Sequence, residues 1–342
     1  MESIYRALMQ RRRAANLARR DAQTPLCPIV SVGNLTTGGT GKTPAVQWLC
    51  QALQSQGRSV GIASRGYGGS FSEKSALVSD GKTIFLSPFQ AGDEAVLHAR
   101  NLSGAIVAIA KNRHRAVQMC VENGAEIVVL DDGFQFWSLE RAFDLILMDA
   151  KNPFGNGHLL PRGRLREEPA ALGRASAILL TRCERASPQE MERARLQIGQ
   201  QSCAPIFCSN HAPRDLRDEK SGEIVPLDWL QGRTIKAFAG LADNSQFYNA
   251  LTKLGAQKIG HLARERGDHH AWKSRDFRWL DSEKNPKNSV HAAAIPVVTT
   301  EKDAVKLDPF WFDGPLFSLR IELRIENEAE LLNCISSKLT PK

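Results

Sequence analysis

"SVGNLTTGGTGKTPAVQWL", residues 31–49, is the stretch whose reading decides the fold. A β-branched run enters it from Pro28, a glycine cluster interrupts it, and Ala45, Trp48, Leu49 and Leu53 continue beyond at helical spacing. Strand, glycine-rich turn and helix in that order form the context of a phosphate-binding loop. Its glycines let successive backbone N–H groups converge on oxygen at a helix N-terminus. A lysine then reaches the outer phosphates, and a Ser or Thr hydroxyl binds Mg²⁺. Here Gly38, Gly39, Thr40 and Gly41 supply the turn, Lys42 the cation and Thr43 the hydroxyl. Pro44 falls in the first helical turn, where its missing N–H costs nothing. The usual G-x-x-x-x-G-K-[ST] spacing asks for glycine at position 36, which is Thr36. Three glycines in four positions keep the freedom the turn needs, so the stretch predicts a nucleoside triphosphate site.

Outward from this loop the chain alternates short β-branched runs with helical periods. Strands are predicted at "SVGIASRG" (59–66), "AIVAIA" (105–110), "EIVVLDD" (126–132), "FDLILMDA" (143–150), "ASAILLTR" (175–182) and "APIFCSN" (204–210). Helical segments fall near 93–101, 113–123 and 188–200. Such alternation implies an α/β fold, a mainly parallel sheet with helices on both faces. Around 211–232 the composition turns charged, and "RDLRDEKSGE" reads as a hairpin or linker. A second set follows: strand, loop and helix over 234–255, then strand and loop over 292–307. The expected division is a nucleotide-binding domain at 1–210 and a smaller C-terminal α/β domain at 211–342. The stretch 273–291 reads as a polar surface connection.

"EIVVLDDGFQ" ends a buried strand in Asp131 and Asp132. Two adjacent acids emerging from an apolar run are costly unless a cation is near, and both are assigned to Mg²⁺, directly or through water.

The 342-residue chain is long enough for two cores. Its seven cysteines are scattered with no C-x-x-C pair, which argues against a disulfide framework or a zinc site and for reduced thiols. A net charge of +8 favours an acidic partner. No apolar run reaches membrane-spanning length. Residues 1–20 hold six arginines and one acid, with Ile4, Leu8 and Met9 as a weak apolar side. They predict either a solvated basic helix or one lying on an anionic membrane surface. Beyond it the basic residues are dispersed, without the aromatic-basic pattern of nucleic-acid binding.

Eight motifs occur together: "VGNLTTGGTGKTP", "SRGYGG", "GDEA", "VLDDGFQ", "NGHLLPRGRLRE", "AFAGLADNSQFYNAL", "GDHHAW" and "TTEKDAVKL". In this order they resemble the tetraacyldisaccharide 4′-kinase family of lipid A biosynthesis, from about residue 27 to 307. The resemblance implies ATP- and Mg²⁺-dependent phosphorylation of the 4′-hydroxyl of a tetraacylated glucosamine disaccharide 1-phosphate. It also implies a P-loop NTPase-like domain beside a smaller one, and peripheral contact with the cytoplasmic face of the inner membrane. A monomer is expected.

By the same resemblance the catalytic carboxylate is Asp93, placed with Glu94 at a helix start where the dipole favours the ionised form. Its partner is His269 of "GDHHAW". Arg65 with Tyr67 and Arg113 follow predicted strand ends, where open parallel sheets bind ligands. Tyr67, Arg113, Gln135 and Glu168 are the expected substrate contacts. The chain departs from the family's pattern in its arginine-rich N-terminus, in Phe136 where the family usually has histidine, and at 273–291. "TTEKDAVKL" offers Glu301, Lys302 and Asp303 either to a nucleotide base or to a domain brace. The rival reading is a regulatory or metallochaperone-type NTPase with no sugar acceptor. Thr37 stands where partition ATPases carry a signature lysine.

Overall fold

A basic helix, α1 (Glu2–Leu17), precedes the first strand, β1 (Ile29–Asn34), which is buried along its whole length. The computed structural model describes residues 2–18, 25–71, 75–241, 243–261, 270, 272–280 and 294–339. They fall into two units: Met1–His211 with Leu323–Lys342, and Ala212–Glu322.

In the first unit β1 leads through the glycine turn into α2 (Lys42–Ser55), then β2 (Val60–Ser64), β3 (Ser75–Asp80), α3 (Pro88–Ala91) and α4 (Asp93–Asn101). There follow β4 (Ile106–Ala110), α5 (Arg113–Glu122), β5 (Ile127–Asp131), β6 (Phe143–Asp149), β7 (Ala177–Thr181), α6 (Pro188–Gly199) and β8 (Ile206–Asp218), which carries the chain out. The strand order is β8-β7-β6-β1-β5-β2-β4-β3. All these pairs are parallel except β3 with β4.

Strand residues alternate between two cores because successive side chains point to opposite faces. Val30, Val32, Ile62, Val107, Val129, Leu145 and Leu179 meet Leu49 and Leu53 of α2 and Ala95 of α4. Ile106, Ala108, Val128 and Leu130 meet Ala116 and Val117 of α5 on the other face. Ile146, Met148, Ile178 and Leu180 likewise meet Ile198 of α6. The expected parallel sheet with helices on both faces is therefore present. The sequence reading missed β3, an edge strand whose "SALVSD" buries only part of its length.

The second unit continues with β9 (Ile224–Val225), β10 (Thr234–Ala237), α7 (Ser245–Lys253), β11 (Lys258–His261), β12 (Val297–Thr300) and α8 (Glu301–Ala304), ending in β13 (Leu316–Ile325). β11, β10, β12 and β13 pair in parallel in that order. β9 closes an antiparallel hairpin on β8, with Asp218 accepting from the amides of Lys220 and Ser221 in the turn. Two expectations change here. Part of 273–291 is not a polar connection: Ser274–Leu280 is a 3-10 helix, and its Phe277 is buried against Phe238 at 4.8 Å between ring centroids. The last helix, α9 (Glu328–Leu339), belongs to the first unit rather than to a domain spanning 211–342. Leu331, Ile335 and Leu339 join the α2 core, and the Trp48 indole donates to Glu328 at 2.8 Å.

Candidate active site

The phosphate loop is built by what its backbone must avoid. Gly38 and Gly41 take φ of +106° and +81°, the region closed to most side chains. A Cβ on Gly38 would collide with the Arg164 guanidinium, and one on Gly41 would lie 2.6 Å from two atoms of the His211 ring. Gly41 caps α2, so the helix begins at Lys42 with its free amides facing the turn. Thr36 answers the spacing question. It is buried and bridges Leu165, while the Thr37 amide donates to the Arg164 carbonyl at 2.7 Å. Position 36 thus belongs to an extended pairing with 164–166, where a side chain is packed and glycine freedom is not needed. The Asn34 amide holds the loop from within, donating to the Thr36 carbonyl and Thr40 hydroxyl at 2.6 and 2.9 Å. The Thr181 hydroxyl donates to the Thr40 carbonyl at 3.0 Å.

One strand over, β5 delivers Asp131 and Asp132. Gly33 lets Phe134 of this turn pack onto β1: a Cβ there would lie 2.6 Å from the Phe134 Cβ. Asp132 has φ of +56°, which aspartate tolerates better than most residues. Its carboxylate takes Arg166 Nη1 on both oxygens at 2.8 Å and lies 3.8 Å from Lys42 Nζ. The Asp131 carboxylate is buried, accepts from the Ser64 hydroxyl at 3.3 Å and lies 3.6 Å from His98 Nε2. Burial alone would raise its pKa. The His98 ring, Lys42 and Arg113 outweigh that and hold it below the ordinary aspartate range. His98, on α4, is fully buried, and neither ring nitrogen has a hydrogen-bond partner. The sequence reading missed it. Its signal was a histidine in helical register with Ala95 and Leu102, on the apolar side of its helix.

Arg113 opens α5 just past β4. It is buried, donating to the carbonyls of Ala110 and Asp131 at 3.1 and 3.3 Å, and burial draws its pKa down to about 10. A guanidinium turned back onto two backbone carbonyls props the acidic turn from below. Gln135 donates to the Asn34 carbonyl at 3.0 Å and to Glu167 at 3.2 Å. Glu167, not Glu168, is in this chain of contacts, and Arg174 holds both its oxygens at 2.9 and 3.0 Å. Glu168 instead pairs with Arg6 of α1 at 2.9 Å. The two neighbours point to opposite sides of an extended backbone, which sequence spacing does not resolve.

"SRGYGG" and "GDEA" form one unit. A Cβ on Gly69 or Gly92 would strike the opposite segment's backbone, and Ser70 and Phe71 donate to the carbonyls of Phe89 and Gln90 at 2.9 and 3.1 Å. That packing fixes the start of α4, where Asp93 is buried and accepts from the Glu94 amide at 3.1 Å. Tyr67 is exposed beside it. His269 lies outside the described residues. In the second unit Asp303 of "TTEKDAVKL" is wholly buried and receives the Gly240 amide, the Trp272 indole and the Thr300 hydroxyl at 2.7 to 2.8 Å, with Lys306 at 3.0 Å. It braces its own unit.

The loop, its lysine and paired acids at a neighbouring strand end form a phosphoryl-transfer constellation, and comparison with known proteins agrees. The model of the family described as tetraacyldisaccharide-1-P 4′-kinase matches residues 1–340. The chain belongs to this kinase family. It is 38% identical over 323 residues to the tetraacyldisaccharide 4′-kinase of Desulfatibacillum aliphaticivorans, covering 92% of this chain and 84% of that protein. With the enzyme of Anaeromyxobacter dehalogenans strain 2CP-C it shares 43% over 307 residues, 89% and 78% of the two chains. A crystal structure of LpxK from Aquifex aeolicus in complex with ATP superposes with a TM-score of 0.76 at 27% identity, over 99% of this chain and 97% of that one. The P-loop NTPase-like fold expected from the sequence is thereby shown.

The members' phosphate chemistry fits the residues present. Positive-φ glycines leave a cradle that any side chain would fill, and the two acids offer hard oxygen. Mg²⁺ usually takes only one or two carboxylates, leaving water and phosphate to complete its shell. Among the described residues no cluster of three or more acidic, histidine or cysteine groups could hold a metal unaided. Phe136 sits 5.6 Å from the His114 ring.

Proposed function

We propose that this chain transfers the γ-phosphoryl group of ATP to the 4′-hydroxyl of a tetraacylated glucosamine disaccharide 1-phosphate, in lipid A biosynthesis. The observation that carries the reading is the Gly38–Gly41 cradle with Lys42 beside a pair of acids one strand away. Phosphoryl transfer asks a protein chiefly for positioning and charge neutralisation. The loop amides and Lys42 hold the donor's phosphates. Thr43, Asp131 and Asp132 are the groups that would hold Mg²⁺, which supplies positive charge to the phosphate oxygens. Arg166 and Arg113 keep that acidic turn in shape. Asp93 takes the proton of the acceptor hydroxyl as its oxygen bonds to the γ-phosphorus and ADP leaves. Tyr67, exposed beside Asp93, stands where it can meet the sugar, and Gln135 steadies the acidic turn against β1.

The acceptor is a lipid, and α1 suits a membrane surface. Ile4 and Leu8 are 64% and 58% exposed, one turn apart, among the arginines. Tyr5 and Glu2 anchor the helix to the 158–166 segment, the Tyr5 hydroxyl donating to the Arg166 carbonyl at 3.0 Å. No helix among the described residues is long and apolar enough to cross a membrane. The exposed apolar turn among arginines supports peripheral contact with the cytoplasmic face of the inner membrane.

Incubation with γ-labelled ATP, Mg²⁺ and the lipid disaccharide tests this directly. Label is expected in the lipid, and ATP hydrolysis without labelled lipid would sink the reading. Asp93→Ala should lower turnover by about 10²- to 10⁴-fold, the usual worth of a general base, with little change in ATP affinity.

A further inference from the structure

Seven cysteines are present, and the kinase reading uses none of them. Burial, above all, drives the thiols of the wholly enclosed Cys50 and Cys120 up, which leaves them protonated and inert.

Cys183 and Cys208 differ. Cys208 stands in β8 opposite Leu180 of β7. The Cys183 thiol, just past β7, turns back and donates to the Leu180 carbonyl at 3.5 Å, which brings it to the level of Cys208. Both side chains pack into one core with Ile178, Leu180 and Ile198, and the Cys183 thiol hydrogen-bonds to the Cys208 sulfur. From α6, Arg195 Nη2 reaches that sulfur at 2.9 Å. The hydrogen bond from Cys183, helped by the Arg195 charge, outweighs burial and holds the Cys208 pKa below the ordinary thiol range. The same hydrogen bond, with burial, raises that of Cys183. One sulfur carries the charge and its neighbour keeps the proton.

A small oxidant can reach them. Cys208 is only 4% exposed, yet it lines a cavity of about 140 Å³ with Arg195, Phe207, Glu326 and Glu330. Arg195, Glu326 and Glu330 are exposed, so the cavity meets solvent. A water molecule's share of the liquid is about 30 Å³, and a molecule the size of hydrogen peroxide therefore fits.

We propose that Cys208 and Cys183 form an oxidisable pair, a modification site in which Cys208 attacks hydrogen peroxide and Cys183 closes the disulfide. The Cys208 sulfur bonds to one peroxide oxygen, the O–O bond breaks, and the departing hydroxide takes a proton to become water. Loss of the negative charge on Cys208 removes what held the Cys183 proton. The Cys183 sulfur then bonds to that of Cys208, the S–O bond breaks, and the second oxygen leaves as water. The pair gives up two electrons, and one peroxide becomes two waters. In a reducing compartment thiol exchange reopens such a bond, so it is transient. It ties together two segments that touch the phosphate loop. Cys183 lies just past Thr181, the brace on the Thr40 carbonyl. Cys208 lies just before His211, whose ring rests against Gly41 and is kept neutral by burial, then by Arg182 and Arg185.

The full chain, reduced and then exposed to hydrogen peroxide, is followed by differential alkylation and peptide mass spectrometry. The expected first product is a Cys183–Cys208 disulfide that dithiothreitol reverses, formed about tenfold faster than the exposed Cys203 is oxidised. In Cys183→Ser, which cannot close the bond, dimedone should label Cys208 as the sulfenic acid. Arg195→Gln should slow disulfide formation by about threefold, a change that a passive pair of thiols does not predict. Oxidation spread without preference over the cysteines, or Cys203 outpacing Cys208, would overturn the proposal. So would the absence of dimedone on Cys208 in Cys183→Ser, or an Arg195→Gln chain that reacts at the wild-type rate.

Discussion

Two acidic strand ends, one in each unit, look alike in the sequence and differ in the structure. "VVTTEKD" brings Asp303 past β12, and "IVVLDD" brings Asp131 and Asp132 to the end of β5. Asp303 is saturated from within: a backbone amide, an indole, a hydroxyl and an ammonium take its two oxygens, and it has no exposed surface. Asp131 has one hydroxyl donor and a histidine at 3.6 Å, while Asp132 is a third exposed and shares Arg166 with Gln135. A carboxylate whose capacity is filled by its own fold holds that fold together. One left with unused lone pairs among cations is equipped to receive something else.

Asp303→Ala should show the larger effect. It strands the Lys306 ammonium and the Trp272 indole in a buried site, and breaking a buried pair from one side typically costs about 3–5 kcal/mol. Denaturant melts of the full chain read it. Tripolyphosphate binding should survive, since the phosphate loop belongs to the other unit. A near-wild-type melt would break the comparison. Asp132→Asn should behave oppositely. Its ion pair with Arg166 is partly exposed, worth no more than about 1 kcal/mol, whereas losing one charge that organises the phosphoryl group should cost about 10²- to 10³-fold in turnover. Equal stability losses from both variants would erase the distinction.

Most of this was legible beforehand, and the parts that were not share a cause. The loop, the acidic turn and the alternation of strands and helices are local patterns in which a few adjacent residues carry the signal. Arg113 turns back onto carbonyls, and in sequence a strand-end arginine looks the same whether it does so or faces solvent. Glu167 and Glu168 differ only in which face of an extended backbone they take. The return of α9 to the first unit depends on Leu331, Ile335 and Leu339 finding a core some 280 residues upstream, as the Trp48–Glu328 bond makes plain. Thr36 was legible as a departure; its reason, pairing with 164–166, was not.

A third prediction concerns acid. His211 is neutral in the fold with a pKa of about 4, against about 6.5 when unfolded. Between those values the unfolded chain binds the extra proton, so stability is full above about pH 6.5 and is lost as pH falls toward 4. Going from pH 7 to 5 should remove roughly 2 kcal/mol from the first unit. His211→Gln, which cannot titrate, should flatten that slope in melts followed across the range, while an unchanged slope would show that the ring is solvated.

The smallest expected effect probes the comparison at its finest point. His98 reaches Asp131 from α4, the helix that begins with Asp93. His98→Leu fills the same apolar space without the ring nitrogen. If Asp131 is already fixed by Ser64 and the strand, turnover will not change, and His98 is packing alone. If the histidine positions the carboxylate, turnover should fall about tenfold with ATP affinity held, a barrier change near 1.4 kcal/mol. His98→Gln, which restores a donor at similar reach, should recover part of it. Partial rescue is the decisive outcome, since a packing role predicts that the more polar replacement in a fully buried site does worse than leucine, not better.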